Sequence, residues 1–138
     1  MRRIILIIFV CFLFLNFSGC KKNYTHGIYE VSITAYQLSN DSVGNSWRKV
    51  YNCDGREINS GERWTIPLNI ERNLIIDVTI TENDKWPDIG RSALSVVLKD
   101  GFKTSEIITV IENKGRYKGN KAQWKIICEV ELIEKIEK

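Results

Sequence analysis

Apolar side chains recur at every second position along most of this chain. Tyr29, Val31, Ile33 and Ala35 alternate with Glu30, Ser32 and Thr34. Trp64, Ile66, Leu68 and Ile70 alternate with Arg63, Thr65, Pro67 and Asn69. Leu74, Ile76, Val78 and Ile80 alternate with Asp77, Thr79 and Thr81, with Ile75 the one exception. Trp124, Ile126, Cys128, Val130 and Leu132 alternate with Lys125, Glu129 and Glu131. A strand turns successive side chains to opposite faces, so each run buries one face and wets the other. The β-branched and aromatic content of the runs suits a pleated, half-buried surface. Residues 94–99 and 106–111, with a weaker run at 47–53, complete the set. Asp54-Gly55 and Asp100-Gly101 each join two runs, and Asp-Gly fits turns that need positive φ. Gly61 and Gly90 are expected to end longer loops. Pro67 falls on an outward position, which marks an edge strand. The charged residues 134–138 are expected to fray. The pattern predicts an all-β domain of seven to eight antiparallel strands, a sandwich or a small barrel, with the antiparallel β-sandwich the expected fold.

The first twenty residues are of a different kind. Met1, Arg2 and Arg3 form a short positive start, and residues 4–17 are uncharged with only Asn16 strongly polar. That apolar stretch has the length of a signal-peptide core and is shorter than the roughly 20 residues of a membrane span. Phe17, Ser18, Gly19 and Cys20 resemble the bacterial lipobox, with Phe17 at the position usually held by Leu. The resemblance implies that residues 1–19 are a lipoprotein signal peptide and that the Cys20 thiol carries a diacylglyceryl group. Each buried methylene contributes about 0.8 kcal/mol, and one chain binds only marginally, so several acyl chains make the anchoring stable. Residues 20–27 then read as the lipidated cysteine and a polar tether, and residues 28–138 as the domain. Lys21 and Lys22 stand where many inner-membrane lipoproteins carry a retention aspartate. The expected location is the cell membrane or outer membrane, facing the periplasm or exterior, with membrane lipid held through Cys20.

Composition narrows the chemistry. From Cys20 onward 119 residues remain, room for one domain. Without Arg2 and Arg3 there are 18 basic and 17 acidic residues, which argues against a nucleic-acid partner. His26 is the only histidine, and it lies in the expected tether. A Ser-His-Asp, Cys-His or multi-histidine metal site would have to use it. There is no Gly-x-Ser-x-Gly and no phosphate-cradling glycine loop, so no enzyme is expected. Glu82 and Asp84 are a carboxylate pair only two residues apart, without an obvious substrate groove.

Cys11 belongs to the signal and Cys20 to the lipid. Cys53 and Cys128 remain, both in the apolar phase of their strands. In an exported chain they either form one disulfide, worth roughly 4–5 kcal/mol for so long a loop, or pack as two buried thiols.

Three segments carry a family resemblance. Residues 29–38 lead to Asp41, Gly44 and Ser46 and then to Lys49, Val50 and Tyr51; Trp64 to Leu68 follow; residues 74–81 then lead into Glu82, Asp84, Lys85, Trp86, Asp88, Ile89 and Gly90. This order resembles the C-two domain, the calcium-dependent phospholipid-binding sandwich, while an immunoglobulin-like sandwich fits the strand pattern equally. The resemblance implies that Asp41, Glu82, Asp84 and Asp88 are candidate calcium ligands, if their two loops meet at one end. Calcium takes six to eight oxygens. Departures from the family pattern are Glu82 in place of Asp, a shortened spacing before Asp88, and Arg48 near a missing ligand. They predict that the fold is kept and tight calcium binding is lost, with Asp41 and Asp84 then serving as acids of Asx-type turns. Trp86 either dips into a headgroup layer or folds back over the sandwich end. Arg116, Tyr117 and Lys118, with Lys114 and Lys121, form a basic loop around an aromatic, a candidate surface for an anionic glycan, a phosphate or a protein rim. The expected role is a membrane-anchored, non-catalytic binding module for an unidentified protein or envelope component. The alternative is a structural or assembly accessory of the envelope that pairs through an edge strand.

Overall fold

The alternating runs pair into two four-stranded antiparallel sheets that face each other as a sandwich. The computed structural model describes residues 23–138. The expected signal segment, Cys20, Lys21 and Lys22 lie outside the described residues. Among those described, no helix is long and apolar enough to cross a membrane. In chain order the strands are β1 (Tyr24–Asn40), β2 (Trp47–Cys53), β3 (Arg56–Ile58), β4 (Glu62–Pro67), β5 (Asn73–Glu82), β6 (Asp88–Val97), β7 (Lys103–Ile111) and β8 (Lys121–Glu137). One sheet runs β4-β1-β8-β7 and the other β3-β2-β5-β6.

The inward phase of each run builds the core. Val31, Ile33, Ile108, Val110, Ile126 and Val130 come from the first sheet. Ile76, Val78, Ile80, Leu94 and Val96 come from the second, and all of these are buried. Full burial of such a side chain contributes about 1.5–3 kcal/mol relative to exposure. Ile75, the one residue that breaks the alternation, points outward and is 52% exposed. Asp54 and Gly55 make the β2–β3 turn at φ 52° and 76°, the left-handed pair an Asp-Gly hairpin requires.

Several boundaries differ from those the pattern predicts. β1 takes in Tyr24 to Gly27, the expected tether, because His26 pairs with Pro67 on one side and Ile136 on the other. The same ladder holds residues 134–137 in β8, so that end is paired rather than frayed. β4 stops at Pro67, which offers no N–H to the ladder, and the Ile70 N–H closes a turn on the Pro67 carbonyl at 3.1 Å. Leu68 and Ile70 therefore lie outside the strand. β4 is an edge, as Pro67 requires. Gly90 lies within β6 rather than at a loop end. A Cβ there would come within 2.7 Å of Ile108 Cγ2 and 2.8 Å of the Thr109 carbonyl, so glycine lets the β6 and β7 edges close one side of the sandwich.

Of the two alternatives open for Cys53 and Cys128, the structure shows the second: separate free thiols, both buried. Burial, with Glu129 adding, pushes the Cys128 thiol up to about 11, and burial likewise raises Cys53. Thiolate is the reactive form, so both are inert while folded. Iodoacetamide is expected to leave both unlabelled in the native protein and to label both in urea; rapid native labelling would contradict the packing. A paired substitution tests the register. Ile80→Ala should cost about 2–5 kcal/mol in urea unfolding, and Ile75→Ala no more than about 0.5 kcal/mol.

Candidate functional site

Three inward rows of the sandwich end in acids. Ile76, Val78 and Ile80 of β5 are followed in phase by Glu82. Asp88 opens the inward row of β6 that Gly90 continues. Ile108 and Val110 of β7 are followed by Glu112. Glu82 and Asp88 are each 2% exposed and Glu112 is 9% exposed. All three sit at the end of the molecule where β1, β5 and β7 finish and β2, β6 and β8 begin. Residues 41–46, 83–87 and 112–120 form its loops, so the loops of Asp41 and of Glu82 to Asp88 share one end.

Backbone and side-chain bonds hold the carboxyls in place. Asp88 Oδ1 accepts from the Asn113 N–H at 3.0 Å and from Asn113 Nδ2 at 2.8 Å, tying the β7–β8 loop to the start of β6. Glu82 pairs in register with both Trp47 and Asp88 and takes backbone hydrogen bonds from Ser46 and Asp84. Its side chain packs on Gly44, where a methyl group would overlap the carboxyl and where φ of 137° already favours glycine. Below them Trp47 and Trp124 meet edge to face across the two sheets, ring centroids 5.3 Å apart. The Lys49 ammonium lies 4.6 Å from the Trp124 ring.

The electrostatics follow from burial of like charges. Burial raises the Glu82 carboxyl above its ordinary range, and Asp84 and Asp88 raise it further, against the two backbone hydrogen bonds. Burial likewise raises Glu112, with the charges of Asp88, Asp84 and Glu82 adding. One buried oxygen of Glu82, Oε2, and one of Asp88, Oδ2, meet no N–H donor of the protein, and the Glu112 side chain hydrogen-bonds Asp88, which helps it keep its proton.

The expected ligand set is only partly brought together. Glu82, Asp84 and Asp88 are neighbours, and Glu112 joins them. Asp41 stands on the β1–β2 loop, where its N–H donates to the Lys121 carbonyl at 2.9 Å. The Asx-type turn expected at Asp41 is made by Asn40 instead, whose side chain bonds Gly44 O at 2.6 Å and the Val43 N–H at 2.9 Å. Asp84 does form such a turn, Oδ1 accepting from the Trp86 N–H at 2.6 Å. Among the described residues no group of three or more His, Cys, Asp or Glu is arranged to hold a metal ion. One oxygen each of Glu82, Asp84 and Asp88 binds the protein's own N–H groups.

Around this buried acid floor the loop tips are basic and aromatic. Trp86 is 48% exposed and stays out of the core rather than folding over the sandwich end. Lys85 places its ammonium 4.8 Å from the Trp86 ring. Arg116 lies 5.8 Å from the ring of Tyr117, which is 49% exposed, and Lys118 is exposed beside them. A cleft of ≈ 360 Å³ opens between the two loops, lined by Lys85, Trp86, Pro87, Asp88, Asn113 and Lys114. Glu112 and Asn113 were missed in the sequence; extending the period of two by one step past Val110 would have placed Glu112 inward.

A group that holds its proton more tightly folded than unfolded stabilises the fold at low pH, and that stability is lost as pH rises from the ordinary carboxyl value toward the folded one. The melting temperature is therefore expected to fall from about pH 4.5 upward. Glu82→Gln removes one buried charge and should raise Tm at pH 7.5 by about 2–4 °C while flattening the pH profile. A profile that rises through this window would contradict the assignment. No protein-family model, no curated protein and no solved structure matches this chain, so the chemistry of this end is read from its own residues.

Proposed function

We propose that this chain is a lipid-anchored bacterial lipoprotein whose β-sandwich is a non-catalytic binding module, presenting its basic, aromatic loop end to a partner in the cell envelope. The observation that carries this reading is the polarity of β1. Cys20 stands three residues before Asn23, next to where the strand begins. The Lys138 N–H donates to the Asn23 carbonyl at 3.0 Å, so both described chain ends share that end of the fold. β1 then runs 17 residues, about 50 Å at strand rise, to the end that carries Trp86 and Tyr117. Acyl chains on Cys20 thus hold one end, and the loops face away from the bilayer. On this reading Trp86 does not enter the membrane that anchors the chain.

Three further features support a binding role over the alternatives. His26 is exposed and lies near the start of β1, its Nδ1 3.0 Å from Thr25 Oγ1, at the end opposite the carboxyls. Glu82 is too deeply buried to meet a substrate. Pairing through an edge strand is poorly served: β3 has three residues, β4 ends in Pro67, and β6 and β7 close on each other at Gly90. The module is proposed to work without a resident cation, since Glu82, Asp84 and Asp88 each commit one oxygen to the protein's own N–H groups.

Intact mass of the native protein should show residues 1–19 absent and lipid on Cys20, and a free Cys20 thiol would contradict the anchor. A photocrosslinker at Tyr117 in intact cells is expected to capture an envelope component, and one at His26 is not; equal capture would remove the loop end as the binding face. Calcium at 1 mM is expected to leave Tm unchanged, whereas micromolar binding abolished by Asp84→Asn would restore the calcium reading.

A further inference from the structure

We infer that the cleft between the 83–87 and 112–120 loops binds an acidic oligosaccharide, a deduction that rests on the binding-module reading above. Its ≈ 360 Å³ lies within the roughly 300–1,000 Å³ of ligand clefts. One wall is Trp86, 48% exposed, with Pro87, an apolar plate left in solvent. The Asp84 turn fixes its backbone, so the plate is pre-set. A pyranose ring offers a flat C–H face to such a plate.

The charges choose among saccharides. Lys85 and Lys114 line the same cleft, and the Lys85 ammonium stands over the Trp86 ring. A ring stacked on Trp86 and bearing a carboxylate, sulfate or phosphate meets both cations. Asp88 borders the floor but is 2% exposed, so it shapes the cleft from within the fold. Asn113, fixed to Asp88 by two hydrogen bonds, adds an amide to that floor. A simple anion has no C–H face to lay on Trp86. Beyond the cleft, Arg116 and Tyr117 repeat the pairing of a cation with an aromatic ring on the same loop. The repetition fits a chain of sugars rather than a single one.

The test uses the full-length protein in detergent micelles, titrated calorimetrically with oligomers of a uronic acid, neutral oligomers of equal length, and inorganic phosphate. The uronic oligomer is expected to bind about tenfold more tightly than the neutral one, with an affinity that falls as salt rises. Trp86→Ala should weaken it about tenfold. Lys85→Ala with Lys114→Ala should reduce the acidic oligomer to the level of the neutral one. These side chains are exposed, and an unchanged Tm verifies that the variants fold. Equal affinity for neutral and acidic oligomers, full competition by phosphate at equal concentration, or no saccharide binding would each overturn the inference. Capture at Tyr117 in intact cells separates the two claims. If capture persists while saccharides fail, only the saccharide falls; if capture fails too, the binding-module reading falls with it.

Discussion

Asp88 sits where the end of β5, the start of β6 and the β7–β8 loop converge, and it is almost wholly removed from water. A carboxylate at that depth is costly unless donors surround it. Asn113 supplies two from the facing loop, so the interaction that makes Asp88 tolerable also fixes the loop. Glu82 and Glu112 then cannot ionise freely beside it. They hold their protons above the ordinary carboxyl range, which keeps the net charge of the cluster down. Gly44 accommodates the Glu82 carboxyl, and the Trp47–Trp124 contact closes the space between the sheets below.

The loop tips inherit their geometry from that floor. Asp84 turns the backbone at Trp86, and Asp88 holds Asn113 beside Lys114, so the walls of the cleft are set by two neighbouring acids of one short loop. The acids are consumed in shaping the protein, which leaves the outward chemistry to lysine, arginine, tryptophan and tyrosine. The basic rim over an acidic floor therefore reflects a division of labour: buried charge organises the loops, and exposed charge with aromatic surface meets a partner. The length of β1 adds direction, separating that surface from the start of the domain by the height of the sandwich.

Much of the fold was legible because a period of two is unambiguous over long runs. The inward rows of β1, β5 and β8 and the Asp54-Gly55 hairpin were read directly. Strand ends were not, since they depend on partners. Tyr24 to Gly27 look like a polar tether until β4 and β8 flank them, and residues 134–137 look free until β1 does. Gly90 reads as a loop residue because nothing local reports that β7 packs against it. The acidic end was half visible. Glu82, Asp84 and Asp88 are close in sequence, so their meeting was foreseeable. Glu112 and Asn113 come from a distant hairpin, and only the closure of the sandwich brings them in. The alternation placed Cys53 and Cys128 inside but carried no information on whether their sulfurs meet.

Asp88 organises the loop end, and amide hydrogen exchange at Asn113 measures this most directly. The Asn113 N–H is expected to be protected about a hundredfold or more in the native protein, although its side chain is exposed. Asp88→Ala should abolish that protection while β1 and β8 amides stay slow. Exchange at Asn113 at the free-chain rate in the native protein, or protection unchanged by Asp88→Ala, would contradict the account.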